Sequence, residues 1–408
     1  MSAHSTAPAG RSSPPLRSRT RATGALVIGG DYRALGLVRS LGRRGIPVEV
    51  LAHGDDLLAK HSRYVRLSRA FPETEEARVA FLLELAQEGL AGWTIFPSGD
   101  ETAALVARHH DRLAEWFLLT TPGWDVFRWA YDKRLTYRLA ETLGLAAPRT
   151  WYPGNGEVSE LGVRFPAILK PAVKTSLNPL TVAKAWRVDS PGELEARFAE
   201  ASTFVPPEEI MIQELVPGDG GQQLSYAALC GDGSVLADIV ARRTRQYPPD
   251  FGRASTFVES IAAPEIADVG RRLLTAMRFD GLVEVEFKRH PDGRLLVLDV
   301  NPRVWGWHTL AIAAGVDFPF LAWEHAQGRT IRFARAEPGR RWVRLSTDVP
   351  TSVREIVRGR LSARSYLRTL LGGVEGAIFA RDDPAPALLE LPLLARTLLR
   401  RMLRGSPV

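Results

Sequence analysis

Residues 281–303 read Gly-Leu-Val-Glu-Val-Glu-Phe-Lys-Arg-His-Pro-Asp-Gly-Arg-Leu-Leu-Val-Leu-Asp-Val-Asn-Pro-Arg. Apolar and polar residues alternate over 282–288, Pro291-Asp292-Gly293 supplies a turn, and a second strand returns over 294–300, so the spacing predicts a β-hairpin. Alternate side chains of a strand share a face. Glu284 and Glu286 therefore point the same way on the first strand, and Asp299 and Asn301 on the second, with Arg303 one step beyond. Glu286 and Asp299 are expected to converge across the hairpin. Two carboxylates, an amide oxygen and a neighbouring arginine form a hard-oxygen set suited to Mg2+, an ion that commonly completes its shell from substrate phosphates. The plainer reading is an exposed acidic hairpin. Pro302 and Arg303, directly after the oxygen donors, favour a strand end that sets a guanidinium beside an anion.

Upstream, residues 25–30, Ala-Leu-Val-Ile-Gly-Gly, predict a short strand; a helical pattern through Leu35, Leu37, Val38 and Leu41 follows, and 46–51 predicts the next strand. This β-α-β start implies a parallel sheet. The Gly29-Gly30 turn lacks the Gly-x-Gly-x-x-Gly spacing, and no acidic residue stands where a ribose hydroxyl would need one, which argues against dinucleotide binding. Helix 75–90 and strand 93–97 continue the alternation. Ser98, Asp100 and Glu101 follow at a strand end, either to meet a substrate amine or to cap helix 101–115. Lys133 opens a helix running to Leu143, where a cation opposes the helix dipole unless an anion faces it. Lys170 ends an apolar strand over 165–171, a costly place for an ammonium without an anion or an exit to water. A strand over 210–216 runs into Pro217-Gly218, with Gln213 and Glu214 as strand-end polar residues.

The hairpin, with Glu-Phe on one strand and Asp-x-Asn-Pro-Arg on the next, resembles the metal-binding signature of the ATP-grasp superfamily, in its carboxylate–amine ligase, biotin-carboxylase-like and carbamoyl-phosphate-synthase-like branch. The likeness extends over roughly residues 25–325. It implies an α/β plus α+β architecture: a Rossmann-like parallel-sheet domain over 24–120, then a two-lobed ATP-grasp domain over 121–330 with a lid subdomain at about 150–215. A tail over 1–23 and an accessory segment over 331–408 flank them. By this resemblance Glu286, Asp299 and Asn301 hold Mg2+, or Mn2+ in its place, between the phosphates of ATP. Lys133, Lys170 and Lys184 contact ATP, Lys184 from the start of a return strand. Gln213, Glu214, Leu215 and Val216 form the hinge that holds adenine, and Asp219 and Gln223 lie near ribose or phosphate. The family's lid is rich in glycine; here 172–182 has none, and Lys174, Thr175 and Ser176 stand in for it. Arg242-Arg243-Thr244-Arg245 is either a solvated basic loop or a loop facing the phosphates, with Arg245 as its anion contact. Arg303 steadies an acyl phosphate or a substrate carboxylate. His308 is a core histidine or a supporting donor.

The implied reaction is ATP-dependent activation of a small carboxylate as an acyl phosphate, then attack by an amine. A phosphotransferase, or a nucleotide-sensing protein with a degraded site, are the rival readings. Composition bounds the rest. A chain of 408 residues with 45% hydrophobic and 24% charged residues fits an enzyme of two or three domains. The net charge of +7 resides in the tails: residues 1–23 carry four arginines and no acid, and residues 385–408 four arginines against one glutamate. The balanced body argues against nucleic-acid binding. One cysteine, Cys230, suits a reducing cytoplasm. No apolar run is long enough for a transmembrane helix, and the first residues lack a signal-peptide core. Leucine pairs and arginines at helical spacing over 387–404 predict a helix that packs on the body, meets a partner or touches an anionic membrane. Small carboxylate and amine substrates, and a homodimer, complete the expectations.

Overall fold

The computed structural model describes residues 23–54, 57–154, 158–173, 178–218, 220–248, 252 and 254–403. Its first sheet is parallel, in the order β3-β2-β1-β4-β5, from strands β1 (Ala25–Ile28), β2 (Val48–Ala52), β3 (Val65–Ala70), β4 (Thr94–Pro97) and β5 (Leu118–Leu119). β1 lies at the centre and is wholly buried, as a four-residue apolar run should be in a sheet covered on both faces. Helix Tyr32–Gly42 follows it, capped by the Asp31 carboxylate, which accepts from the amides of Arg33 and Ala34.

The second sheet is small and antiparallel, in the order β6-β9-β7-β8: β6 (Thr150–Trp151), β7 (Ala167–Pro171), β8 (Trp186–Val188) and β9 (Ile210–Glu214). Helix Pro191–Ser202 packs on it through Leu194 and Ala201, opened by Ser190 as cap and Pro191 in the first turn.

The large sheet runs β14-β13-β10-β11-β12-β16-β17, with β15 attached to β11. Its strands are β10 (Gln223–Gly231), β11 (Ser234–Tyr247), β12 (Ala254–Ser260), β13 (Gly281–Arg289), β14 (Leu295–Asn301), β15 (Ala334–Arg335), β16 (Arg341–Val343) and β17 (Glu375–Gly376). One face packs under helix Pro264–Met277 and helix Lys133–Thr142. The other shares a core with the first sheet: Leu37 and Val38 meet Trp305, Trp307 and Trp342, together with Ala227, Ile239 and Val258. Burying an indole of this kind is worth roughly 3–5 kcal/mol against alanine. Gly36 is required there, because a Cβ would lie 2.3 Å from Nε2 of His308. His308 is fully buried and donates from Nδ1 to the Trp305 carbonyl at 2.9 Å, and burial pushes its pKa down to about 4. It sits in the core.

The segment after residue 331 is not a plain appendage. Arg39, on the first helix, is buried and donates to the Asp383 carboxylate at 2.9 Å and to the Ile378 carbonyl at 2.6 Å, while Ser62 donates to the same carboxylate at 2.7 Å. Helices Leu345–Val357 and Ala363–Leu370 lie over β11 and β12, and helix Ala385–Leu403 follows. Among the described residues, no helix is long and apolar enough to cross a membrane.

Candidate active site

The hairpin forms as its alternation dictates, and its register pairs Glu284 with Asn301 and Glu286 with Asp299. All four side chains are nearly buried. The odd-numbered residues Val283, Val285 and Phe287 go to the core beneath, which commits the acids to the opposite face. Asn301 donates its amide to Glu284 at 3.3 Å and to Glu286 at 3.0 Å, and the Trp307 indole donates to Glu284 at 2.9 Å. Burial, and then the neighbouring Glu286 charge, hold the Glu284 carboxyl above the usual range.

A group of cations meets these acids. Lys133 Nζ lies 3.0 Å from Asp299, which supplies the anion that a lysine in a helix's first turn requires. Arg243 donates to Glu286 at 3.0 Å and to Ser255 at 2.6 Å. Burial opposes its charge, but Glu286 and Glu284 outweigh that and hold its pKa above the ordinary value. Lys184 Nζ is 3.7 Å from Glu286 and donates to the Gly252 carbonyl at 3.2 Å. Lys170 donates to the Tyr137 hydroxyl at 2.8 Å, which itself donates to the Leu298 carbonyl at 2.7 Å, so the ammonium is aimed by a buried phenol.

A cavity of about 930 Å3 joins these groups, lined by Lys133, Lys170, Lys184, Glu286 and Asp299 on one side and Gln213 to Val216 on another. At the hinge, the Glu214 amide donates to the Arg149 carbonyl at 2.9 Å and the Leu215 amide to the Pro166 carbonyl at 3.2 Å. Lys288, one alternation beyond Glu286, donates to the carbonyls of Val216 and Gly218 at 2.9 and 2.8 Å and so ties hinge to hairpin. Gln213 is buried and donates to Thr150 at 2.8 Å.

Several residues lie elsewhere than expected. Arg245 borders the cavity, but its guanidinium is committed to Asp348 by two bonds of 2.9 Å, with Thr369 at 3.1 Å and the Phe257 ring beneath it. A bulge between Arg243 and Arg245 turns the two apart, and it is Arg243 that reaches the acids. Lys184 does not start a strand; it ends the short helix Pro179–Ala183, at φ +71°, and β8 begins at Trp186. Arg303 does not line the main cavity. It donates to Asp100 at 2.8 Å and to the Asn301 oxygen at 3.3 Å, bridging the first sheet to the hairpin. Asp100 thereby meets an arginine, Glu101 pairs with Arg78, and Ser98 donates to the Ile28 carbonyl at 3.1 Å. Thr351, Ser352 and Glu355 of the accessory helix also line the cavity. Lys174, Thr175, Ser176 and Asp219 fall outside the described residues.

Glu286, Asp299 and Asn301 bring only hard oxygen donors together. That chemistry fits a divalent cation of the Mg2+ kind. Among the described residues, no group of three or more His, Cys, Asp or Glu side chains is arranged to hold a metal by itself. A cation here would therefore draw further ligands from phosphate and water.

Residues 207–347, from the end of the small sheet through the hairpin to β16, match the family model described as ATP-grasp in the biosynthetic pathway with Ter operon. Over that stretch, which holds the hairpin and its acids, the chain matches ATP-grasp. D-aspartate ligase of Enterococcus faecium is 24% identical to this chain over 302 residues, 68% of this chain and 70% of that one. The structure of L-amino acid ligase from Bacillus licheniformis superposes with a TM-score of 0.58 at 17% identity, covering 76% of this chain and 75% of that one. The biotin carboxylase domain dimer of Hydrogenobacter thermophilus 2-oxoglutarate carboxylase, solved with MgADP and bicarbonate, gives a TM-score of 0.62 at 13% identity over 79% of this chain and 74% of that one. The two solved structures share the mixed α/β architecture of a parallel sheet followed by antiparallel sheets.

Proposed function

We propose that this ATP-grasp protein is an ATP- and Mg2+-dependent ligase that activates a small carboxylate as an acyl phosphate and joins it to an amine. The observation that carries the reading is the single cavity that unites three lysines, the hinge and the opposed carboxylates Glu286 and Asp299. The names of the relatives, two of them amino-acid ligases, favour the same chemistry.

In this reading adenine lies against the hinge residues Gln213 to Val216, and Lys170 and Lys184 meet the phosphates. Mg2+, held by Glu286, Asp299 and Asn301, supplies charge neutralisation of the triphosphate when bound. Lys133, now on Asp299, is released toward phosphate as that charge is shared. A substrate carboxylate oxygen attacks the γ-phosphorus, the bond to the bridging oxygen breaks, and ADP leaves. The amine nitrogen then attacks the acyl carbon, its proton is lost, and inorganic phosphate departs with the former carboxylate oxygen. Arg243, bonded to Glu286, and Arg303, bonded to the Asn301 oxygen, stand beside the acids and in this reading stabilise the negative charge that develops there.

The experiment is a screen for ADP release against paired carboxylates and amines, with and without Mg2+, followed by product analysis. An amide product supports the ligase. A stable phosphate ester would assign a phosphotransferase, and Mg-ATP binding with no turnover would assign a nucleotide sensor. Glu286→Ala and Asn301→Ala should each lower substrate-stimulated ADP release by about 10²–10³-fold, the scale of removing one transition-state stabiliser, with thermal unfolding retained. Normal activity in either removes the metal assignment.

A further inference from the structure

The exposed apolar surface is gathered in one place. Of the fourteen large apolar side chains exposed among the described residues, ten lie between 345 and 394. Four recur at intervals of four along helix Leu345–Val357: Leu345, Val349, Val353 and Val357, the last 82% exposed. The opposite face of the helix carries Asp348, Thr351 and Ser352 into the protein. Helix Ala363–Leu370 repeats the arrangement, burying Tyr366 against Arg245 and turning Leu367 and Leu371 outward. Helix Ala385–Leu403 exposes Leu388 and Leu391 beside them, held by Ser346 donating to Glu390 at 2.6 Å. A patch this concentrated marks a contact surface.

Its charge says with what. Residues 345–371 carry five exposed arginines, Arg354, Arg358, Arg364 and Arg368 together with Arg360 at the cavity's edge, against two acids. Asp348 is buried beneath Arg245, and Glu355 is taken by Arg358 and Arg360 at 3.7 and 3.8 Å. A second copy docking through the same face would set these arginines against their own counterparts, because a twofold interface meets itself. Apolar side chains rimmed by arginine instead fit the interface of an anionic bilayer, where leucine and valine enter the acyl boundary and guanidinium groups meet phosphate.

We propose that the three C-terminal helices form a peripheral docking surface for anionic lipid. The same helix that presents Val353 and Val357 outward lines the nucleotide cavity with Ser352 and Glu355, so the surface lies directly behind a wall of that cavity.

The test is co-sedimentation of the full chain with phosphatidylcholine vesicles that do or do not contain phosphatidylglycerol. Binding should require the anionic lipid and fall as salt rises. Val353→Gln with Val357→Gln should weaken it by about tenfold or more, and Arg364→Gln with Arg368→Gln by about tenfold or more. These side chains point to solvent, so both variants should unfold at the wild-type temperature and bind Mg-ATP as wild type does. Equal binding to both vesicle types, or to neither, overturns the proposal. A concentration-dependent dimer in sedimentation velocity that the valine variant disperses assigns the face to a second copy instead. ATP binding is read separately, so failure on vesicles leaves the ligase reading standing, and the converse holds.

Discussion

The hairpin β13–β14 and strand β11 lie two strands apart in one sheet, and each carries a bulge. Alternation places the acids of the first; in the second, the arginines expected on a loop lie within a strand, and Arg243 rather than Arg245 reaches the acids. In the hairpin the irregularity falls after Glu286, so the pairs Glu284–Asn301 and Glu286–Asp299 lie together on one side of it. In β11 it falls between Arg243 and Arg245 and divides them. An extra residue on one strand flips every side chain beyond it. The lesson is that a period of two is reliable up to a bulge and says nothing across one, and no residue type in Arg-Arg-Thr-Arg announces where the bulge lies.

If Arg243 and Arg245 did the same work, their variants would fail alike. Arg245→Ala strips the buried Asp348 of its partner, and a loss of about 3–5 kcal/mol is expected, read as a lowered urea midpoint. ATP binding by calorimetry should persist in whatever remains folded. A variant as stable as wild type would show that the clamp on Asp348 carries nothing. Arg243→Lys keeps the charge but loses the fork that joins Ser255 to Glu286. Substrate-stimulated ADP release should fall by about 10²-fold with little change in thermal midpoint; the reverse pattern would make Arg243 the structural arginine. The smallest effect tests a third irregularity. Lys184 stands at φ +71°, a conformation costly to any residue with a Cβ. Lys184→Gly should be about 1 kcal/mol more stable than Lys184→Ala, while both lose ADP release. Equal stability would show that the backbone there relaxes freely.

Much of this was legible from residue order. The β-α-β opening, the lysine at a helix start and the hairpin depend on local periodicity, and the structure follows them closely. Lys288 was equally readable, since it continues the alternation of Glu284 and Glu286, yet its bond to the hinge joins residues 72 apart. The Asp100–Arg303 pair spans 203 residues and joins two sheets, and no local pattern carries it. The accessory segment was the least readable. In its helix Leu345–Val357 the inward residues are Ser, Thr and Asp, which look like surface, and the outward ones are Val and Leu, which look like core. Only the position of Asp348 under Arg245 tells the two faces apart.

The buried bond between Arg39 and Asp383 joins residues 344 apart, across almost the whole chain. During synthesis at roughly 5–20 residues per second, the arginine leaves the ribosome long before its aspartate exists. Until then the first helix has a guanidinium with no counter-charge at the place where it must be buried. The parallel sheet is made first but finished last. A ribosome stalled short of Asp383 is expected to hold a nascent chain whose first helix is cut by protease more readily than in the released protein, because the buried guanidinium of Arg39 still lacks that carboxylate.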